Sequence, residues 1–269
     1  PRPQLISLLL LLASLSHALR QLPPSQSAIR QAASSALATA SKAATSATRA
    51  VQSSPRVAAG SFAAGVAVGL AVSNVQSAME LYLTADDIPG GLIRSHRAIS
   101  GRVVSVSDGD TFRFRHLPSI VSSGKYDGKL SENTITLRIA AVDTPETAKF
   151  GKPGMRLGEE AKEFAKARVL NKRVRVRCYS RDQYGRIVGT LEYGGPGPWA
   201  RDLSTQLLQN GLASVYRQAG AVYGGRSLDG WDKIEEKAQQ KRLGIWSEGV
   251  EKAELSSDFK AKQKAKQKK

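Results

Sequence analysis

The sequence predicts an α+β domain built on a small closed barrel of five short strands. Three observations predict it. Five stretches rich in β-branched and aliphatic residues, each short, are separated by Gly, Asp and Pro turn signals. One stretch with helical spacing is interposed after the third. Two more amphipathic helices follow the fifth.

Ser100 to Val106 reads as the first strand, alternating through Val104 and Val106. Asp108-Gly109-Asp110 is a hairpin signal, and Thr111 to Arg115 returns as the second strand. Leu117 to Asn133 is polar and turn-rich, a long surface excursion. The third strand runs from Thr134 to Val142 and ends at Thr144-Pro145, because the residue before proline is held extended and proline cannot continue a ladder. After the Gly/Pro loop from Phe150 to Arg156, Leu157 to Leu170 carries Leu157, Ala161, Phe164, Ala165 and Val169 at helical spacing. Arg173 to Tyr179 alternates: Val174, Val176 and Cys178 face one way, Arg173, Arg175 and Arg177 the other. Asp182-Gln183-Tyr184-Gly185-Arg186 is a tight turn before the last strand, Ile187 to Tyr193. Asp202 caps a helix that runs through Asn210 and stops at Gly211. Ser227 to Arg242 is the final amphipathic helix. Five strands with an interposed helix fit a barrel of the oligonucleotide/oligosaccharide-binding (OB) type.

The stretch from Thr136 to Thr147 concentrates charge on this frame. Arg138 lies inside an otherwise apolar strand, where an unpaired charge is costly. Asp143 and Glu146 sit at the strand's exit. A cation and two carboxylates at a strand end suit a phosphate and a hard metal ion held side by side.

Composition narrows the partner. The formal charge is +17 over 269 residues, which points to a polyanion, either nucleic acid or an anionic membrane surface. The single cysteine, Cys178, excludes an internal disulfide framework and a cysteine-rich zinc site. The three histidines, His17, His96 and His116, are scattered. Metal chemistry would therefore rest on oxygen ligands, as Ca²⁺ or Mg²⁺ prefers.

Ahead of the domain, residues 1–79 contain no Asp or Glu. Residues 1–19 read as a signal-like segment with an apolar core from Leu5 to Leu15. Residues 20–56 are rich in Ser and Ala with scattered Arg and Lys, which reads as a transit peptide or a linker. A signal core followed by such a stretch suggests delivery to an organelle, a plastid before a mitochondrion or the secretory pathway. Residues 57–75 carry no charge and are long enough for a transmembrane helix, with more transit peptide or a soluble Ala-rich helix as the alternatives. With Pro1 in place of an initiating methionine, a start upstream is expected. The folded domain is expected over 97–249, followed by a basic disordered tail over 250–269, in a monomer.

Asp108-Gly109-Asp110-Thr111, Arg138 through Asp143-Thr144-Pro145-Glu146-Thr147, Asp182 to Arg186, Gly211-Leu212-Ala213 and Gly244-Ile245-Trp246 together resemble the staphylococcal nuclease (thermonuclease) family. They occur in that family's order between Ser100 and Glu248. The loop Lys149 to Pro153 and the stretch Gly220 to Gly225 look like its membrane-anchored eukaryotic branch. The resemblance implies Ca²⁺-dependent endonucleolytic hydrolysis of DNA or RNA. It implies Asp110, Asp143 and the Thr144 main-chain oxygen as metal ligands, and Glu146 as the base that activates water. Arg138 and Arg186 would be the catalytic phosphate-binding cations, and Tyr184 and Tyr216 substrate contacts.

Each piece also has a plain reading. The Asp-Gly-Asp and Tyr-Gly-Arg motifs alone are ordinary turns. A lone Arg138 is an ion-paired strand residue, and Cys178 a small buried hydrophobe. The alternative function is a catalytically inactive OB-fold module that binds nucleic acid.

Overall fold

The computed structural model describes residues 80–117, 128–148, 151, 153–195 and 197–267. The signal-like, transit-like and 57–75 segments lie outside them. Among the described residues no helix is long and apolar enough to cross a membrane. The chain divides into two compact units, and the described domain is the unit made of Tyr82–Leu117 and Tyr126–Lys269.

The domain begins earlier than the strand pattern suggests. Tyr82, Ala85 and Ile88 are buried. They lead into a short helix, α1 (Gly90–Arg94), and then β1 (Ala98–Asp108). Arg181 fastens this lead to the barrel by donating to the carbonyls of Ala85, Asp86 and Ile88 at 2.6–3.2 Å. β1 turns at Gly109 into β2 (Thr111–His116), and β3 (Ile135–Ile139) follows. Then come a two-residue β4 (Val142–Asp143), helix α2 (Gly158–Val169), β5 (Arg173–Arg181) and β6 (Ile187–Tyr193). β7 (Arg201–Asp202), α3 (Leu203–Gln209), β8 (Ser214–Val215), α4 (Leu228–Gln240) and α5 (Ser256–Gln267) complete the domain.

The strands lie in the order β3-β2-β1-β5-β6, and β3 pairs with β6 in parallel to close the ring. The fold is thus the expected five-stranded OB barrel with helices. Phe112, Phe114, Leu137, Val176, Cys178 and Leu191 fill it, all essentially without exposure. Ala161, Ala165 and Val169 of α2 and Leu203, Leu207 and Leu208 of α3 pack onto it. Asp202 caps α3, accepting from the Thr205 N–H at 2.7 Å.

Three expectations are corrected. The strand expected over Thr134 to Val142 is two, because Ala141 adopts φ 70° and turns the chain. β3 stays in the barrel, while β4 leaves it to pair with β8. In β1, a register shift between Val103 and Ser105 buries Val103 and leaves Val104 and Val106 half-buried. The basic tail is not structureless: Ser256–Gln267 is helical. Lys, Ala and Gln favour helix, and Ala253 and Leu255 just before it pack on Ile245 and Trp246.

Candidate active site

Two neighbouring crossings build the site. The first is the β1–β2 turn. Gly109 sits so close to Thr144 that a Cβ there would lie 2.9 Å from the Thr144 Cγ2, so only glycine lets Asp108 and Asp110 flank the β4 exit. The Thr147 hydroxyl donates to Asp108 Oδ1 at 2.6 Å, and the Ile139 N–H donates to the Asp110 carbonyl at 2.9 Å. The second crossing is the start of α2. A Cβ on Gly158 would meet the Glu146 carbonyl at 2.2 Å, and the Met155 N–H donates to that same carbonyl at 2.8 Å. The loop carrying Glu146 is therefore held between a hairpin and a helix end.

Arg138 projects from β3 beside Thr111 of β2 and Val188 of β6. Its Nη2 lies 2.9 Å from Asp143 Oδ1 and 3.6 Å from Asp110 Oδ2. Its guanidinium stands 4.9 Å from the centre of the Tyr216 ring. Burial works against the Arg138 charge, but Asp110 and Asp143 outweigh it and raise the pKa above the usual arginine value. Burial, reinforced by the neighbouring Asp110 charge, pushes the Asp143 carboxyl up despite Lys260 and Arg138.

Arg186 is set by its own turn. Asp182 Oδ1 accepts from the Tyr184 and Arg186 N–H groups, both at 2.9 Å, and Oδ2 accepts from Arg186 Nε at 2.6 Å. Burial would raise the Asp182 carboxyl, but these bonds outweigh it and hold it below the usual range. The bonds Arg186 makes among the described residues leave its two Nη groups for a ligand. Tyr184 is 72% exposed at the rim.

Asp110, Arg138, Asp143, Glu146, Tyr184, Arg186 and Tyr216 all line one cavity of about 610 Å³. Thr144, next in sequence to the lining residue Asp143, is buried and does not line it. Two residues absent from the sequence reading join them. Lys260 of α5 places its Nζ 2.8 Å from Glu146 Oε1 and 3.2 Å from Asp143 Oδ1. The Ser256 hydroxyl reaches Glu146 Oε1 at 3.3 Å. No motif signals these two; their place follows from where the last helix docks.

The donor set suits a hard cation. Asp110 and Asp143 converge on one arginine, and the Thr144 hydroxyl behind them is buried without a hydrogen-bond partner. Among the described residues no three His, Cys, Asp or Glu side chains form a metal cluster. A cation held here would keep main-chain oxygen and several waters in its shell, as Ca²⁺ and Mg²⁺ tolerate. Cys178 takes no part: it is buried, and burial pushes its thiol up to about 12.

A five-stranded OB barrel with an Arg/Arg/Asp/Asp/Glu cavity defines a phosphodiester hydrolase of nuclease type. Residues 136–248 match the staphylococcal nuclease homologue family. The chain is 42% identical over 205 residues to Endonuclease Htp3 of Saprolegnia parasitica, covering 75% of this chain and 94% of that protein. It is 33% identical over 217 residues to a probable endonuclease LCL3 of Komagataella phaffii, covering 77% and 93%. A probable endonuclease LCL3 of Schizophyllum commune is 36% identical over 190 residues, 64% of this chain and 63% of that one. The chain belongs to the staphylococcal nuclease homologue family.

Proposed function

We propose that the protein is a Ca²⁺-dependent endonuclease acting on DNA or RNA with little sequence preference. The observation that carries the reading is the convergence of Asp110, Arg138, Asp143, Glu146 and Arg186 on one cavity. Glu146 takes a proton from the attacking water, whose oxygen bonds to phosphorus as the bond to the departing sugar oxygen breaks. That oxygen is protonated by solvent, which leaves a phosphate monoester and a free hydroxyl. Arg138 and Arg186 bind the phosphate oxygens through paired donors and offset the charge that gathers there. Tyr184 and Tyr216 flank the nucleotide by stacking or hydrogen bonding. Ca²⁺ bound by Asp110, Asp143 and the Thr144 main-chain oxygen would supply further positive charge at the phosphate.

Incubating the purified protein with DNA and with RNA, in Ca²⁺ and then in EGTA, tests this. Chelator-sensitive internal cleavage is expected. Binding without cleavage would favour the inactive OB module instead. In the same reading, residues 57–75 anchor a monomeric enzyme to an organelle membrane, with the plastid favoured. The length and lack of charge of that segment support the anchor. Retention in the pellet after carbonate extraction, the location of a tagged protein and its sedimentation mass test these points.

A further inference from the structure

The basic face of β5 is not used by the site described above, and the barrel extends it. Arg102 of β1 lies opposite both Arg115 of β2 and Arg173 of β5, so three arginines stand side by side across three strands. Arg175 lies opposite Ser100, and Arg177 opposite Ala98, on the same face. Like charges placed directly across strands destabilise a sheet. Arg102, Arg173 and Arg175 are exposed, and none forms an ion pair among the described residues. Glu192, opposite Arg175, is an acid that register places on this face.

The face is continuous with the cavity. On β2, Thr111, Arg113 and Arg115 share the outward side; Thr111 pairs with Arg138 of the site, and Arg113 with Thr136. Asp110 and Arg115 lie five positions apart, about 17 Å along a strand. A line of arginines thus leads from the catalytic arginine to the opposite end of the barrel.

We propose that this face holds the phosphodiester backbone of a long nucleic acid beyond the scissile bond. The proposal rests on the nuclease reading. The spacing of about 17 Å corresponds to roughly five base pairs of B-DNA, and OB folds bind about 4–16 nucleotides. A polyanion along the track relieves the repulsion between the exposed, directly opposed Arg102 and Arg173. An anionic membrane shares the charge, but nothing in the site leads to one, whereas a strand in the cavity must leave it along some path.

The test compares the full chain with a variant carrying R102E, R173E and R175E. Initial rates are read on a trinucleotide and on a 40-nucleotide single strand, and binding of the 40-mer is measured in EGTA across a salt series. The expected result is an unchanged trinucleotide rate. KM for the 40-mer should rise about tenfold or more, and the salt slope should fall by about 2, close to 0.7 per lost phosphate contact. Equal KM and equal slope would overturn the proposal while leaving the nuclease intact. So would a variant that cuts the 40-mer normally but loses binding to vesicles of 30% anionic lipid. No cleavage of either substrate by the parent chain would instead sink the nuclease reading beneath it.

A separate observation carries a second inference. Lys260 sits between Asp143 and Glu146, the carboxylates through which a divalent cation and the attacking water would be managed. Its ammonium is a compact cation within 3.4 Å of both Asp143 oxygens. The helix bearing it is held by the Leu255 and Ala253 contacts and by Ser256, so it can leave without opening the barrel. We infer that Lys260 and the divalent cation compete for the same oxygens, and that the C-terminal helix is an internal stopper on the active site. This rests on the metal reading. Calorimetric titration of the full chain and of K260Q with Ca²⁺ alone, without substrate, tests it. Tighter binding by K260Q, by about tenfold, is expected. Equal or weaker binding by K260Q overturns the stopper. Heat from neither chain overturns the metal reading, and the stopper with it.

Discussion

Two arginines in this molecule each sit between two carboxylates, and they do different work. Arg138 lies 2.9 and 3.6 Å from Asp143 and Asp110. Arg217 lies 2.6 Å from both Asp232 and Glu235. Around Arg217 both oxygens of Glu235 are taken. Glu235 Oε1 accepts from the Val215 N–H at 2.7 Å, and Arg217 Nη1 donates to the Val215 carbonyl at 3.1 Å, which ties α4 to β8. Around Arg138 the carboxylates line a cavity, one contact is long, Asp143 is also met by the half-exposed Lys260, and the Thr144 hydroxyl has no partner. A closed triad is a joint and an open one is a place to bind. The difference lies in what the acceptors still have to offer, since the residue types are nearly the same.

The largest effects should separate the two. R138K keeps the charge but loses the planar fork, so initial rates on DNA should drop by about 10²–10³-fold with the melting temperature nearly kept. E146Q should cost about 10²–10⁴-fold. Loss of fold in R138K would place that arginine with Arg217 as a joint.

Acid should act through a third region. Burial holds His116 at about 4, against 6.5 unperturbed, and its ring stacks on Tyr82 at 4.8 Å. Between those values the unfolded chain binds a proton that the folded chain refuses. Stability should therefore fall as pH drops from about 6.5 to 4, by up to about 3 kcal/mol, and level off below. Denaturant titrations of the parent and H116F across that range check this; parallel curves would remove His116 from the account.

Calcium should strengthen only the open triad. At about 100 times its dissociation constant it should raise the unfolding free energy by about 2.7 kcal/mol. D143N should abolish the gain, and R217A should not. The smallest effect is expected for E235A, which orphans the buried Val215 N–H. It should lose about 1–3 kcal/mol of stability while the cleavage rate per folded molecule stays within about threefold. A rate loss beyond that, at matched folded fraction, would tie the joint to the chemistry.

Much of this was legible because turns and alternation are local. Asp108-Gly109-Asp110, Asp182 to Arg186 and the Asp202 cap announce themselves by spacing, and the strands by their apolar face. What stayed hidden is set by distant contacts. Ala141 takes a left-handed turn because β4 finds β8, Val142 pairing with Val215 73 positions on. Lys260 enters the cavity because Leu255 and Ala253 dock on the cluster of Ala238, Ile245 and Trp246, which no periodicity in a run of Lys, Ala and Gln reveals. The lead from Tyr82 to Ile88 lies ahead of the expected start at 97 and joins the barrel through carbonyls that Arg181 clasps. Glu235 lies on the buried face of an amphipathic helix, where an apolar side chain is the ordinary expectation.

The parallel seam between β3 and β6 decides when the cavity is assembled. It sets Arg138 beside Val188, two positions from Arg186, and joins stretches of chain about fifty residues apart. Local hairpins can form as soon as their residues leave the ribosome, but pairings this remote in sequence are slow. Arg138 and Arg186 come to line one cavity only once that seam is made. A chain that ends before β6 carries the first arginine without the second, and so has no assembled cavity.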